Sequence, residues 1–253
     1  MACGTPEVIL AQRPSKVIRL EGNRVLKVFG QGFSVADVLN ESLNQARVME
    51  SGLRIPELLE VRKVEDGKWA IVMEYVEGQT LAKSMSDCPE RADELMAYFV
   101  DIHIESCSRR VRLLNSLREK MIRQIDEASL DPAARYDLHA RVESMPRRSS
   151  LCHGDFNPSN IIMAKEGPPC ILDWSHATQG DPAADVARTY LLFRLERKEK
   201  EAEKYLALMA GKSGISPAEV QRWLPLVAAC QTLKGDSRKR DFLMRWVNVF
   251  DFE

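Results

Sequence analysis

Short runs rich in β-branched residues occupy the first third of the chain and predict β-strands. Those runs are Glu7–Ala11, Lys16–Leu20, Val25–Phe29, Leu58–Val64 and Trp69–Val76. Turn-forming residues separate neighbouring runs at Glu21-Gly22-Asn23 and at Glu65-Asp66-Gly67-Lys68, a pattern typical of hairpins. We therefore expect an antiparallel sheet in this part of the chain.

One helix is predicted among these strands. Ser34 has the character of an N-cap, because Asp37 follows three residues later as in a capping box. Apolar residues such as Val38 and Met49 then recur at helical spacing, and Gly52 is the expected stop.

Helical periodicity dominates after Gly78. Three helices are expected to begin with a capping residue followed by proline, whose missing N–H would have no partner in the first turn. They begin at Asp131-Pro132, Asp181-Pro182 and Ser216-Pro217. A β-like interruption, Ser150–Asp173, lies between them. The layout predicts an α+β fold of two lobes: residues 1–76 with a small sheet and one helix, and residues 77–253, mainly helical, connected near Val76–Gly78.

The composition is that of a globular protein with balanced charge. Hydrophobic residues make up 45% and charged residues 29%, and 36 Lys and Arg offset 37 Asp and Glu. No segment is basic enough to favour a nucleic-acid partner, and no apolar run reaches the roughly 18 residues of a membrane helix. We see no secretory signal in Met1–Leu10. The six cysteines are scattered, so we expect reduced thiols in a cytoplasmic protein.

The candidate chemistry is concentrated in the β-like interruption. The run from His153 through Asp155 to Asn160 is followed by Ile171-Leu172-Asp173-Trp174, on what the pattern predicts to be a strand–loop–strand hairpin. Phosphoryl transfer asks a protein mainly for positioning and charge neutralisation. Asp155, Asn160 and Asp173 are residue types that can supply a carboxylate for an acceptor hydroxyl and oxygen ligands for a divalent cation.

With these motifs the chain resembles the aminoglycoside phosphotransferase and choline kinase-like superfamily, relatives of the protein kinases. The resemblance covers nearly the whole chain and is most specific at residues 151–190. It implies a protein-kinase-like fold and transfer of the γ-phosphoryl group of ATP to a hydroxyl of a small molecule, with Mg²⁺. Trp174-Ser175 in place of the kinase Phe-Gly is normal for the small-molecule branch, whereas Asn157 departs from the histidine that is common there.

The resemblance also implies roles for individual residues. Asp155 would be the catalytic carboxylate, and Asn160 and Asp173 would be the magnesium ligands. His153 would hold the catalytic loop through hydrogen bonds, and Asp185 would brace that loop from the start of a helix.

Lys27, a single lysine in an apolar strand, would contact the α- and β-phosphates. Its helix partner is better matched by Glu41 than by Glu50. The loop Ala11–Ser15 lies where a glycine-rich turn would cover the nucleotide in protein kinases, yet it has no glycine; Ser15 could still meet phosphate.

The adenine would be held by the strand that runs through Glu74 and Val76, through backbone groups.

Two other functions fit parts of the sequence. A metal-dependent hydrolase could use His153, Asp155, Asp173 and His176 as ligands, but this gives no role to Lys27. A kinase-like protein that binds nucleotide without turnover is the second.

The acceptor is open. A polycationic aminoglycoside would need an acidic pocket, whereas the helical segments carry a small excess of basic residues. A sugar or an amino alcohol fits equally. The terminal Asp251-Phe252-Glu253 could contribute acceptor groups. Oligomeric state is not readable from the sequence.

Overall fold

The structure of the protein is a computed structural model that describes residues 8–13, 15–64, 66–233 and 237–247. The chain forms two compact units, one of Met1–Lys83 with Ser159–His176 and the other of Ser84–Pro158 with Ala177–Glu253. The first unit therefore includes a later segment that the division at residue 76 had assigned to the second lobe. The terminal run Asp251–Glu253, to which the sequence assigned an acceptor role, lies outside the described residues, as do Glu65 of the second predicted turn and Pro14.

The described residues contain ten strands. They are β1 (Val8–Arg13), β2 (Lys16–Glu21), β3 (Arg24–Phe29), β4 (Leu58–Lys63), β5 (Trp69–Glu74), β6 (Gly78–Thr80), β7 (Ser150–Cys152), β8 (Ile161–Ala164), β9 (Cys170–Ile171) and β10 (Thr178–Gly180). The first five form one antiparallel sheet, as the sequence predicted, and their order in it is β1-β2-β3-β5-β4.

The described residues also contain nine α-helices. They are α1 (Val35–Met49), α2 (Leu81–Asp87), α3 (Ala92–Ser108), α4 (Leu117–Glu127), α5 (Pro132–Ser144), α6 (Pro182–Leu195), α7 (Glu199–Ser213), α8 (Pro217–Gln231) and α9 (Ser237–Val247). The three predicted proline starts are confirmed at α5, α6 and α8. Local chemistry is sufficient here because the cap and the proline act within one turn of helix.

Helix α1 covers one face of the five-stranded sheet. Ser34 caps it through the predicted capping box with Asp37. Because side chains alternate along a strand, Leu26 and Val28 of β3 lie on one face and Lys27 and Phe29 on the other. Phe29 packs with Val38 of α1, so Lys27 points to the face that the helix covers. The alternation of β3 thus places a lysine in a buried layer.

The strands predicted around the motif are present, and β8 and β9 form an antiparallel hairpin, but β7 does not belong to it. Strand β7, which precedes the loop, pairs with β10, whereas β8, which follows it, pairs with β6 and β9. Neither β6 nor β10 was predicted, because each has only three residues and no room for a hydrophobic period. The motif therefore connects two separate small sheets.

The core of the second unit is built on aromatic rings. The ring of Phe99 in α3 lies 5.1 Å from that of Phe156, 6.0 Å from that of Phe193 and 5.7 Å from that of Tyr205, centroid to centroid. Phe156 is fully buried, and it directly follows Asp155 in the chain. Packing of one loop residue in this core limits how far its neighbours can move. No helix among the described residues is long and apolar enough to cross a membrane.

A glycine-to-alanine pair tests the close approach of β6 to β8. A Cβ at Gly78 would overlap the backbone carbonyl of Met163, whereas a Cβ at Gly211 in α7 would meet nothing within 4 Å. We expect Gly78→Ala to lower the free energy of unfolding by about 1–3 kcal/mol, since backbone must shift. We expect Gly211→Ala to raise it by about 0.5–1 kcal/mol, because alanine is the better helix former. Chemical denaturation measures both, and a stable Gly78→Ala protein would contradict the β6–β8 geometry.

Candidate functional site

The first unit holds Lys27 between two carboxylates. Its ammonium lies 2.9 Å from Oδ1 of Asp173 and forms an ion pair with Oε1 of Glu41. Lys27 is only 6% exposed, and α1 supplies Glu41 from the layer above the sheet. Glu50, the other candidate partner in the sequence, is exposed at the end of the same helix. A buried lysine is thus held by charge on two sides.

The charges of this group stabilise one another. Burial works to lower the pKa of Lys27, but attraction to Asp173 and Glu41 outweighs it and the pKa is raised. Burial likewise works to raise the pKa of Asp173, but the Lys27 ammonium dominates and holds that pKa well below its ordinary value. The lysine therefore stays cationic and the aspartate anionic over the physiological range.

Asp173 and Asn160 are brought together by the β8–β9 ladder. The backbone N–H of Leu172 donates to the carbonyl of Asn160 at 2.8 Å, and Ile161 pairs with Ile171. Asp173 has a φ of 60°, which places it in the left-handed region. Aspartate tolerates that region better than most residues, and such conformations concentrate at functional sites. The two predicted magnesium ligands are thus neighbours in one unit.

The other predicted nucleotide contacts lie on the same unit. Ser15 is exposed in the tight connection from β1 to β2, and its carbonyl accepts from the N–H of Gly30 at 2.9 Å. The predicted covering loop is shorter than expected, because β1 extends to Arg13. The backbone N–H of Glu74 donates to the carbonyl of Glu57 at 2.9 Å, so an adenine contact by Glu74 would use its carbonyl. Val76 lies in the segment between β5 and β6.

The second unit positions Asp155 through a hydrogen-bonded loop. Asp185, near the start of α6, accepts from the backbone N–H groups of His153 and Gly154, each at 2.7 Å. Gly154 has a φ of 79°, a conformation that glycine adopts without steric cost. Ring atom Nδ1 of His153 lies 3.2 Å from the backbone N of Asp155, within reach of an N–H···N bond. The bracing contacts expected of Asp185 and His153 are both present.

Asp185 belongs to a fully buried polar chain. His103 on α3 places Nε2 3.2 Å from a carboxylate oxygen of Asp185 and Nδ1 2.7 Å from the hydroxyl of Tyr205. A ring that carries its proton on Nε2 satisfies both contacts, with the tyrosine donating. Burial acts to raise the pKa of Asp185, but the hydrogen bonds from His103 and from the Gly154 backbone lower it below the ordinary value. The brace is therefore an anion held by directed donors.

Arg188, one turn after Asp185 in α6, was missed by the sequence interpretation. Its Nε donates to the carbonyl of Gly154 at 3.2 Å, and its Nη2 lies 3.5 Å from Oδ1 of Asp155. Its remaining arm binds the side-chain carbonyl of Gln231 on α8. The available signal was an arginine between two mostly apolar stretches of a predicted helix, Ala183–Ala187 and Tyr190–Phe193. The guanidinium is thus a cationic support beside the candidate catalytic carboxylate.

The predicted site residues are divided between the two units. Lys27, Asn160 and Asp173 belong to the first unit and Asp155 to the second. The first unit has an ammonium, and its predicted oxygen ligands lie just before β8 (Asn160) and just after β9 (Asp173). These residue types suit magnesium and phosphate. The second unit has a braced carboxylate with an arginine beside it. Cys107 and Cys152 are buried free thiols whose pKa values are raised by burial, so they do not add a nucleophile to the second unit.

Sequence and fold comparisons define the class of protein. Residues 12–218 match the model of the phosphotransferase enzyme family. This match spans most of the chain, and the chain belongs to that family. A comparison with curated proteins found no match.

Solved structures share the fold over nearly their whole length. A thermostable mutant of aminoglycoside phosphotransferase APH(4)-Ia superposes with a TM-score of 0.68 at 17% identity, covering 96% of this chain and 92% of that one. Wild-type aminoglycoside 2'-phosphotransferase-IIIa in its GDP complex gives 0.59 at 19% identity, with 97% and 92% covered. LicA in complex with AMP gives 0.65 at 15% identity, with 96% and 91% covered. At these identities the likeness establishes the kinase-like fold.

Substitution of Asp185 tests the buried brace. Asp185→Asn replaces one acceptor oxygen by an NH2 group, which cannot accept, so one of the two backbone N–H groups loses its partner. We expect the unfolding free energy at pH 7 to fall by about 1–3 kcal/mol. The folded-state pKa of Asp185 is below its ordinary value of 3.8, so its carboxylate stabilises the fold above that pH and this contribution is lost on acidification. The wild-type advantage should therefore shrink as the pH falls below about 4.

Asp181→Asn is the matched control at the N-cap of the same helix. Oδ1 of Asp181 accepts from the N–H of Ala183 at 2.9 Å, and asparagine caps as well as aspartate. We expect a change within roughly 0.5 kcal/mol. Equal stability of Asp185→Asn and Asp181→Asn by urea denaturation would show that the brace contributes nothing.

Proposed function

We propose that this protein is an ATP-dependent phosphotransferase that moves the γ-phosphoryl group to a hydroxyl of a small molecule. The observation that carries the proposal is the buried ammonium of Lys27, ion-paired with Glu41 on a helix and with Asp173 on the motif. Burial of a lysine with two carboxylates carries a desolvation penalty that apolar side chains would not have. The presence of the charge at this position therefore points to a function in binding. Membership in the phosphotransferase family supports the same reaction.

The first unit would bind the nucleotide. Lys27 would contact the α- and β-phosphates, Asp173 and Asn160 would hold Mg²⁺, and backbone groups at Glu74, Val76 and Ser15 would meet the adenine and the phosphates. When bound, Mg²⁺ would offset the negative charge of the phosphates. The low pKa of Asp173 suits this role because a metal ligand must be deprotonated. Among similar folds, APH(4)-Ia variants are described with AMP-PNP or ADP and LicA with AMP.

Asp155 would orient the acceptor hydroxyl and accept its proton. The Arg188 guanidinium lies 3.5 Å from its Oδ1, and the loop is anchored by two backbone hydrogen bonds to Asp185. A base held in one orientation saves the entropy of finding it in the transition state.

The acceptor would be an alcohol of low molecular weight: an aminoglycoside-like antibiotic, a sugar or an amino alcohol. Ternary complexes of APH(4)-Ia variants with hygromycin B show the first of these in a similar fold. The near-neutral charge of the chain favours an acceptor with few ammonium groups. The proposal also includes the two predicted lobes, residues 1–76 for nucleotide binding and residues 77–253 for catalysis and acceptor binding. It places the protein in the cytoplasm. A panel of such alcohols, assayed for Mg²⁺-dependent ATP consumption, would identify the acceptor.

Asp155→Asn tests the base. We expect kcat to fall by roughly 10²–10⁴-fold, since the amide cannot take a proton, with the Kd for Mg·ATP little changed. Asp101→Asn, a surface carboxylate of α3 paired with Lys212, is the matched control and should keep wild-type activity. Steady-state kinetics and calorimetry measure both quantities. Wild-type kcat in Asp155→Asn would show that another group acts as base, and turnover without ATP would favour a hydrolase.

Asp173→Asn tests the metal ligand. An amide is a weaker magnesium ligand than a carboxylate, so we expect the Kd for Mg·ATP to rise by about tenfold or more. Because Lys27 also loses one ion-pair partner, binding should be measured alongside a thermal melt. The proposed role of Asp173 would be refuted if titration with Mg²⁺ at fixed ATP gave the same apparent metal affinity in the variant and the wild type.

A further inference from the structure

A second lysine binds the same glutamate as Lys27. Nζ of Lys16, the first residue of β2, lies 2.9 Å from Oε2 of Glu41, while Lys27 pairs with the other oxygen, Oε1. The carboxylate of Glu41 therefore has one ammonium on each oxygen. A lysine–glutamate pair as in protein kinases uses only one of these two cations.

The Lys16 side chain is held in place by packing as well as by charge. Its ammonium lies 4.8 Å from the ring centroid of Phe29 and 5.0 Å from that of Phe33. Lys16 is also the cross-strand partner of Phe29, so it lies on the helix-covered face of the sheet with Lys27. Its side chain is 18% exposed, against 8% for Lys27. Cation–π contacts of this kind are strongest where water is partly excluded.

Two cations on one carboxylate fix its orientation. With Lys27 alone, Glu41 could rotate about its terminal torsion, which is broad for glutamate. With Lys16 on the second oxygen, rotation would break one ion pair. Because Lys16, Lys27 and Glu41 come from β2, β3 and α1, the glutamate ties three elements together.

The charge count gives Lys16 a second effect. Lys27 faces two carboxylates, Glu41 and Asp173, which together outweigh its single charge. Lys16 adds a second positive charge, so two ammonium groups balance two carboxylates. Glu41 is then partly neutralised from the other side, and more of the Lys27 charge is left for an anionic ligand.

We propose that Lys16 is a positioning residue for nucleotide phosphates: it acts through Glu41 to orient Lys27 and to leave its charge available. The inference rests on the proposed function, because the anion that it serves is the triphosphate of ATP. Lys16 also directly follows Ser15, whose carbonyl accepts from the N–H of Gly30, the residue that follows the strand of Lys27. The turn between β1 and β2 is thereby linked to the same group.

A double-mutant cycle tests whether Lys16 acts through Glu41. The variants are Lys16→Met, Glu41→Gln and the two combined, and the measured quantity is the Kd for Mg·ATP. We expect Lys16→Met alone to raise the Kd by about 3–10-fold, within the range of coupling between contacting residues. In the Glu41→Gln background the same change should have almost no further effect. Lys16→Arg, which keeps the cation, should restore most of the affinity.

Lys63→Met is the matched control. Lys63 is a lysine of the same sheet with its ammonium 5.4 Å from the ring centroid of Trp69, but its partner is not Glu41. We expect wild-type Kd in this variant. A loss of equal size from Lys16→Met in both backgrounds would overturn the inference, because Lys16 would then act independently of Glu41. An unchanged Kd in Lys16→Met would overturn it as well.

Hydrogen exchange of the protein without nucleotide separates this inference from the proposed function. If Lys16 holds Glu41, amides of α1 should exchange faster in Lys16→Met, by about threefold or more, and not in Lys63→Met. Unchanged exchange of α1 refutes the positioning role. If the wild type binds no Mg·ATP while α1 loosens as expected, the proposed function fails and the Lys16–Glu41 contact is still supported as the restraint on α1.

Discussion

The ion pairs of one buried lysine organise the first unit. Lys27 is on the covered face of β3, and desolvating its ammonium would be unfavourable without anionic partners. Glu41 meets it from α1 and Asp173 meets it from the segment after β9, so a helix, a sheet and the motif are joined at one charge. An apolar residue at this position would avoid the desolvation penalty of the ammonium. The retention of a charge here points to a role beyond stability.

The second unit solves a related problem with a buried anion. Asp185 is buried, and its carboxylate accepts hydrogen bonds from two backbone N–H groups and from His103, which offset the loss of hydration. The two backbone N–H groups belong to the loop that carries Asp155, so the same hydrogen bonds stabilise the anion and fix the shape of the loop. Arg188 then adds a cation beside Asp155 without a separate scaffold. Each unit thus uses one buried charge to hold its part of the chemistry.

Features that depend on neighbouring residues were predictable. The capping box at Ser34 and the proline starts at Pro132, Pro182 and Pro217 appear as predicted, because each acts within one turn. The five strands of the first sheet were predictable from their β-branched residues. The short strands β6 and β10 do not, since three residues hold too little pattern and their pairing is set by distant partners.

The candidate catalytic and metal-binding residues were predictable from the sequence. Asp155, Asn160 and Asp173 lie within one short stretch of the chain, and the family resemblance rests on that stretch. The contacts of Arg188 with Asp155 and of Lys16 with Glu41 were not predictable, because they join residues 33 and 25 positions apart. Such contacts are chosen by which faces the folded elements turn toward each other. Local preference sets where a helix or strand begins, and the cost of burying charge without a partner decides what it must meet.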